Sequence, residues 1–146
     1  MESFENKIAV VTGGGTGMGR ELVCQLIAAG AHVAMCDVSQ ENMDETLRLA
    51  NAGEQRLTHH LCDVSEEAQM LAFRDEVMAQ HHTAHINLLF NNAGIGGGGS
   101  FVKGDRDEWE RTYAVCWDGV YFGCRAFLDA IAVSYTHLTL PTNREV

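Results

Sequence analysis

Between Thr12 and Gly19 the chain reads TGGGTGMG, and Asp37 follows 18 residues after the last of these glycines. A phosphate needs backbone N–H groups pointing at it and no Cβ in the way. Gly13, Gly17 and Gly19 meet that need, allowing a tight turn, a close approach and helix-to-strand packing at a helix N-terminus. A carboxylate at Asp37 can accept hydrogen bonds from both hydroxyls of an adenosine ribose and would repel a phosphate carried there. No base follows it in Val38, Ser39 or Gln40, and Thr16 before Gly17 is neutral, so these residues favour NAD over NADP. Plainer roles stand beside these: a flexible connection for the glycines, an N-cap or loop acid for Asp37.

The elements around the turn follow from hydrophobic periodicity. Lys7 to Thr12 (KIAVVT) is a short β-branched run ending in glycines, as expected of a strand buried on both faces. Leu22, Val23, Leu26 and Ile27 recur at helical spacing, and Gly30 stops that helix. His32 to Cys36 is a second strand ending at Asp37, and Gln40 to Ala50 a second helix with Met43, Leu47 and Ala50 on one face. Arg56 to Cys62 is a third strand. Ser65 then caps a helix running to about Gln80 with Glu67 close behind, and Ile86 to Phe90 is a fourth strand. A long last helix is expected from the stripe Trp109, Tyr113, Cys116, Val120, Cys124, Phe127 and Ile131. The alternation predicts an α/β fold, a doubly wound parallel sheet of Rossmann type, cut short after the fourth strand and the long helix.

These residues together resemble the short-chain dehydrogenase/reductase (SDR) family over about Lys7 to Ala132. The glycine pattern is the family's T-G-x-x-x-G-x-G. Asp63-Val64 falls where the family uses an Asp and a neighbouring backbone to hold adenine, and Asn91-Asn92-Ala93-Gly94 is its NNAG motif. The resemblance implies cofactor contacts from Gly13, Thr16, Gly17, Met18, Gly19, Asp37, Asp63, Val64, Asn92, Ala93 and Gly94. Asn91 is read instead as a residue that satisfies backbone groups near Thr12. Gly96 to Gly99 would be either a mobile rim of a substrate entrance or a linker.

The family's chemistry is hydride transfer between nicotinamide and an alcohol or carbonyl, with a Tyr as acid/base, a Lys that lowers its pKa, and a Ser. Its Y-x-x-x-K is absent: Tyr121 is followed at that distance by Arg125, and Tyr135 by Thr139. No catalytic residue is therefore assigned, and Ser134-Tyr135 is set aside. The family's helix Asn would fall at Cys116, where a thiol replaces an amide poorly in a water relay, although Cys116 could equally be packed in the helix stripe. His81, His82 and His85 could in part touch one metal, but no acid or cysteine completes a set, and no metal is assigned. Glu66, Glu67, Asp75 and Glu76 read as a solvated helix face.

Composition bounds the rest. A length of 146 residues, 46% hydrophobic with one proline, suits one globular domain. A net charge of −10 opposes nucleic acid and anionic membrane surfaces as partners. Five cysteines, odd in number and never in C-x-x-C, suit a reducing cytoplasm, and no stretch is apolar enough to span a bilayer. Val133 to Val146 breaks the helical pattern and resembles translated sequencing-adapter read-through, against the plainer reading of an irregular tail. The expectation is thus residues 1–132 as the NAD(P)-binding half of a dehydrogenase, inactive by itself, whose whole form is a homo-oligomer acting on a small alcohol or carbonyl. The alternative is a non-catalytic NAD-binding or regulatory module.

Overall fold

A computed structural model describes residues 3–53, 56–97, 100 and 102–134. The elements are β1 (Ile8–Thr12), α1 (Gly17–Ala28), β2 (His32–Asp37), α2 (Gln40–Ala50), β3 (Leu57–Leu61), α3 (Glu67–Gln80), β4 (Leu88–Phe90), α4 (Arg106–Tyr113) and α5 (Gly119–Ser134), with a π turn at Ala114–Asp118 between the last two. The four strands form one parallel sheet in the order β3-β2-β1-β4. The chain winds outward from β1 through β2 to β3 and then crosses back to place β4 on the other side of β1. That reversal leaves a crevice beyond the carboxyl ends of β1 and β4, where ligands of open α/β sheets bind.

Both sheet faces are covered, which explains why the strands are continuous apolar runs rather than alternating ones. Ala9, Val11, Val33 and Met35 pack on one face with Val23, Ile27 and Met43 of α1 and α2. Val10, Ala34 and Cys36 pack on the other with Met70, Phe73 and Val77 of α3 and Phe127 of α5. Wholly burying a Val, Met or Phe in this way contributes roughly 1.5–3 kcal/mol each. The centre of the sheet is therefore rigid, and its loop ends are well placed to carry a site.

Three local expectations are corrected. Ser65 does not cap α3: its hydroxyl and its N–H both donate to Asp63 Oδ1, at 2.6 and 2.9 Å, and the helix starts at Glu67 with no side-chain cap. The fourth strand begins at Leu88, because the Asn87 side chain and backbone bond Ile8 before the ladder starts. The apolar stripe of the long helix is only half right. Phe127 is buried and Ile131 half-buried, but Trp109, Tyr113, Cys116, Val120 and Cys124 are exposed, and Gly119, Gly123, Ala126 and Ala130 face inward instead. The π turn is wider than an α turn and shifts the phase of the helix. Small residues then bring the backbone close: a methyl on Gly119 would lie 2.7 Å from Val64 Cγ2, and one on Gly123 would strike Asn91 Oδ1. Trp109, Tyr113 and Trp117 stack on one another at 5.5 and 6.2 Å on the outer side.

Candidate functional site

The glycine turn begins where β1 ends. Gly13 has φ +68°, and a methyl there would lie 2.8 Å from Ala93 Cα, so the turn and the end of β4 touch backbone to backbone. Gly17, at φ +53° and the first residue of α1, has nothing within 4 Å of where a Cβ would stand, which leaves open space at the helix N-terminus. At Gly19 a Cβ would collide with the Gly13 carbonyl oxygen. Two residues outside the motif secure the turn from below. The buried Thr46 hydroxyl donates to Gly14 O at 2.9 Å, and the Arg20 guanidinium donates to Gly15 O, to Asn42 O at 3.2 Å and to Thr46 Oγ1 at 3.1 Å. The sequence signal for Thr46 was a hydroxyl on the apolar face of α2, which period counting ignores.

Asp37 closes the far side. Its Oδ2 accepts from Gly15 N at 2.9 Å and its Oδ1 from Ser39 N at 3.1 Å, so the carboxylate is held by the turn it faces. Each oxygen keeps a further lone pair, enough to accept from a ribose hydroxyl as well. Beneath it lie Cys36 and Cys62. Donation of the Cys36 thiol to the Cys62 sulfur, reinforced by burial, pushes Cys36 well above its ordinary pKa, and Cys62 also meets Met70 Sδ at 3.6 Å. Asp63 projects after β3 with its two bonds from Ser65 on Oδ1, and Val64 is backed by Gly119.

At the end of β4 one expectation is corrected: it is not Asn91 that satisfies the backbone near Thr12. Asn92 Nδ2 donates to Thr12 O at 2.9 Å and to Gly13 O at 3.2 Å. The Thr12 hydroxyl in turn accepts from Asn92 N at 3.0 Å and Ala93 N at 3.1 Å. It is thus Asn92 that ties the sheet to the turn, while still lining the crevice. Asn91 points to the other side, donating to Cys124 Sγ at 3.4 Å with its Oδ1 against Gly123. Cys116 is not packed in the core; it is exposed, with its Sγ 3.5 Å from Ile95 O.

One crevice of about 490 Å3 collects these residues. Gly13, Thr16, Gly17, Met18 and Gly19 form its β1–α1 wall, Asp37 one end, Asp63 and Val64 the floor after β3, and Asn92, Ala93 and Gly94 the β4 side. All the residues expected from the sequence at a cofactor therefore share one wall-to-wall space. Sequence reasoning missed Val38, Ser39, Asn42, Cys62, Ser65, Ile95, Arg111 and Val115, which also line it. The size falls within the usual range for small-molecule sites. Of the glycine run at Gly96 to Gly99, Gly98 and Gly99 lie outside the described residues, as does the chain from Tyr135 on. His81 is far from this chemistry, bonded to Thr58 Oγ1 at 2.9 Å and edge-on to His32. Among the described residues no group of three or more His, Cys, Asp or Glu could hold a metal, and no helix is long and apolar enough to cross a membrane.

Comparison with known proteins bears on this geometry. The family model described as short chain dehydrogenase matches residues 7–135. SadH of Mycobacterium tuberculosis is 38% identical over 134 residues, covering 92% of this chain and 48% of its own length. A crystal structure of a short chain dehydrogenase/reductase from Burkholderia phymatum in complex with NAD superimposes with a TM-score of 0.84 at 30% identity, over 92% of this chain and 47% of that one. A metagenomic short-chain oxidoreductase in complex with NADP gives a TM-score of 0.81 at 30% identity, over 91% and 60%. The chain spans about half the length, or less, of the curated relatives it matches.

Proposed function

The chain belongs to the short-chain dehydrogenases, and from that membership we propose that it binds a nicotinamide dinucleotide, NAD in preference to NADP, for an oxidoreductase acting on a small alcohol or carbonyl. The observation that carries the reading is the convergence of Gly13, Gly17, Asp37, Asp63 and Asn92 on one crevice at the sheet's switch point. The crevice fits the group: Gly17 leaves an open cradle at the start of α1, and a Cβ at Gly13 or Gly19 would close the turn. In this reading the glycine turn holds the pyrophosphate, Asp37 accepts from the adenosine ribose hydroxyls, and Asp63 with Val64 receives the adenine. Asn92, Ala93 and Gly94 border the nicotinamide ribose, and Met18 flanks the same passage. When bound, the dinucleotide supplies hydride transfer at the nicotinamide ring.

Preference for NAD rests on charge. Asp37 is fixed as an acceptor by Gly15 and Ser39, and Val38 beside it offers no cation for a 2′-phosphate. The 146 residues carry no Tyr-x-x-x-Lys, and we expect them to turn over no substrate by themselves. The exposed stack of Trp109, Tyr113 and Trp117 supports a homo-oligomeric whole protein, and five free cysteines suit a reducing, cytoplasmic setting. Titration of the chain with NADH and NADPH, followed by nicotinamide fluorescence, tests the reading. Tighter NADH binding that is lost in Asp37→Ala supports it; equal affinity for both, or NADH formation from any alcohol by this chain, contradicts one or the other half of it.

A further inference from the structure

Seven arginines lie among the described residues, and six of them are engaged. Arg20 and Arg56 hold backbone carbonyls, while Arg48, Arg74, Arg106 and Arg125 pair with acids. The Arg111 side chain makes no hydrogen bond or ion pair with any described residue, although Asp107 and Glu108 precede it by about one turn. Among the described residues lining the crevice it is also the one cation, the other charged groups being Asp37 and Asp63.

Its place on the helix says what it could meet. Gly119 sits on Val64, Val115 lines the crevice four residues earlier, and Arg111 lines it four residues earlier again. Arg111 and Val115 therefore line the crevice from the segment that leads into Gly119 and its contact with Val64, the floor after β3. The glycine turn belongs to the β1–α1 wall instead. A flat, neutral, π-rich group is thus the natural neighbour of Arg111, because a planar guanidinium stacks on an aromatic face without needing a counter-charge.

We propose that Arg111 binds the adenine base, its guanidinium lying over the ring face while Val64 and Val115 hold the edge. This rests on the dinucleotide reading above, and adds to it a residue of α4 that the glycine, Asp37 and NNAG signals do not contain. Arg111 is a binding residue here and takes no part in proton or hydride movement. Because a cation over an aromatic ring contributes modestly, its loss should weaken binding by roughly 3- to 30-fold.

The test uses the whole chain and two probes, NADH and reduced nicotinamide mononucleotide, which lacks the adenosine half. Arg111→Ala is expected to bind NADH roughly 3- to 30-fold more weakly and the mononucleotide unchanged. Arg111→Lys should recover only part of the loss, since the charge returns without the planar group. Circular dichroism and melting temperature equal to the parent's keep the comparison free of folding effects; should Arg111→Ala unfold, Arg111→Lys carries the same two-probe comparison. Equal NADH affinity in parent and variant, or equal weakening of both probes, overturns the proposal alone. Failure of the unsubstituted chain to bind NADH overturns the cofactor reading, and the proposal with it.

Discussion

Thr12 is the hinge between the sheet and the site, and Thr12→Val isolates what its hydroxyl does. The residue is 2% exposed, and its Oγ1 accepts from Asn92 N and Ala93 N at 3.0 and 3.1 Å. Valine keeps the volume and the β-branched shape, so no cavity opens and the strand is not weakened. Two hydrogen bonds are lost: Ala93 N–H is left without an acceptor, and Asn92 N–H keeps only Phe90 O, at 3.0 Å. At about 0.5–1.5 kcal/mol net per bond, the loss is about 2 kcal/mol. For a chain of this size each kcal/mol moves the melting temperature by about 2–4 °C, so a drop of roughly 4 to 8 °C is expected. Thermal unfolding by far-ultraviolet circular dichroism measures it, with Thr12→Ser, which keeps the acceptor, as control. NADH affinity should fall alongside, because Ala93 and Gly94 would no longer be held against Gly13. A Thr12→Val melting temperature within about 1 °C of the parent, or a Thr12→Ser variant as unstable as Thr12→Val, would refute the reasoning.

Other expectations follow from the same geometry. Gly19→Ala places a methyl on the Gly13 carbonyl and should cost at least roughly tenfold in NADH affinity by titration; retained affinity would mean the turn is softer than described. Among the cysteines, exposed Cys116 and Cys124 should react with a thiol reagent in the native chain, and buried Cys36 and Cys62 only after unfolding, as peptide mapping of the labelled protein would show. Burial, then His32 and His82, hold the His81 pKa below its ordinary 6.5. The unfolded chain therefore binds that proton more readily, so the stability His81 contributes is present above pH 6.5 and is lost as pH falls below it. Melting temperatures across that range should show a shallower slope in His81→Gln; an unchanged slope would place the titration elsewhere.

Much of this was legible because the physics is local. β2 and α2 are marked at both ends, by apolar runs, by Asp37 and by the Ser39 cap that accepts from Asn42 N, and the helix bounds coincide with those read from the sequence. The glycine turn and Asp37 were legible for the same reason: an anion cradle and a ribose acceptor each demand particular residue types at one strand end. What was hidden depends on phase and on distant partners. Adjacent asparagines at the end of a strand point to opposite sides, and nothing in Asn91-Asn92 alone says which faces Thr12. The π turn at Ala114–Asp118 resets the helical period, so a count at steps of three and four carries Trp109, Tyr113 and Val120 into a core they do not enter. Ser65 looked like a cap until Asp63 claimed its hydroxyl. Arg111 lines the crevice through tertiary packing that its own segment does not announce, with Gly119 and Gly123 further along lying close against Val64 and Asn91.

The central claim is that the turn after β1 grips a dinucleotide by its backbone amides. Backbone amide resonances of the isotope-labelled chain, followed through a titration with NADH, test it most directly. The account predicts saturable shifts at Gly13, Gly17, Gly19, Asp37 and Asn92, with little change at Thr58 and His81, which do not line the crevice and meet at the C-terminal end of α3. Shifts that spare the glycine turn, or no saturable shifts at all, would contradict it.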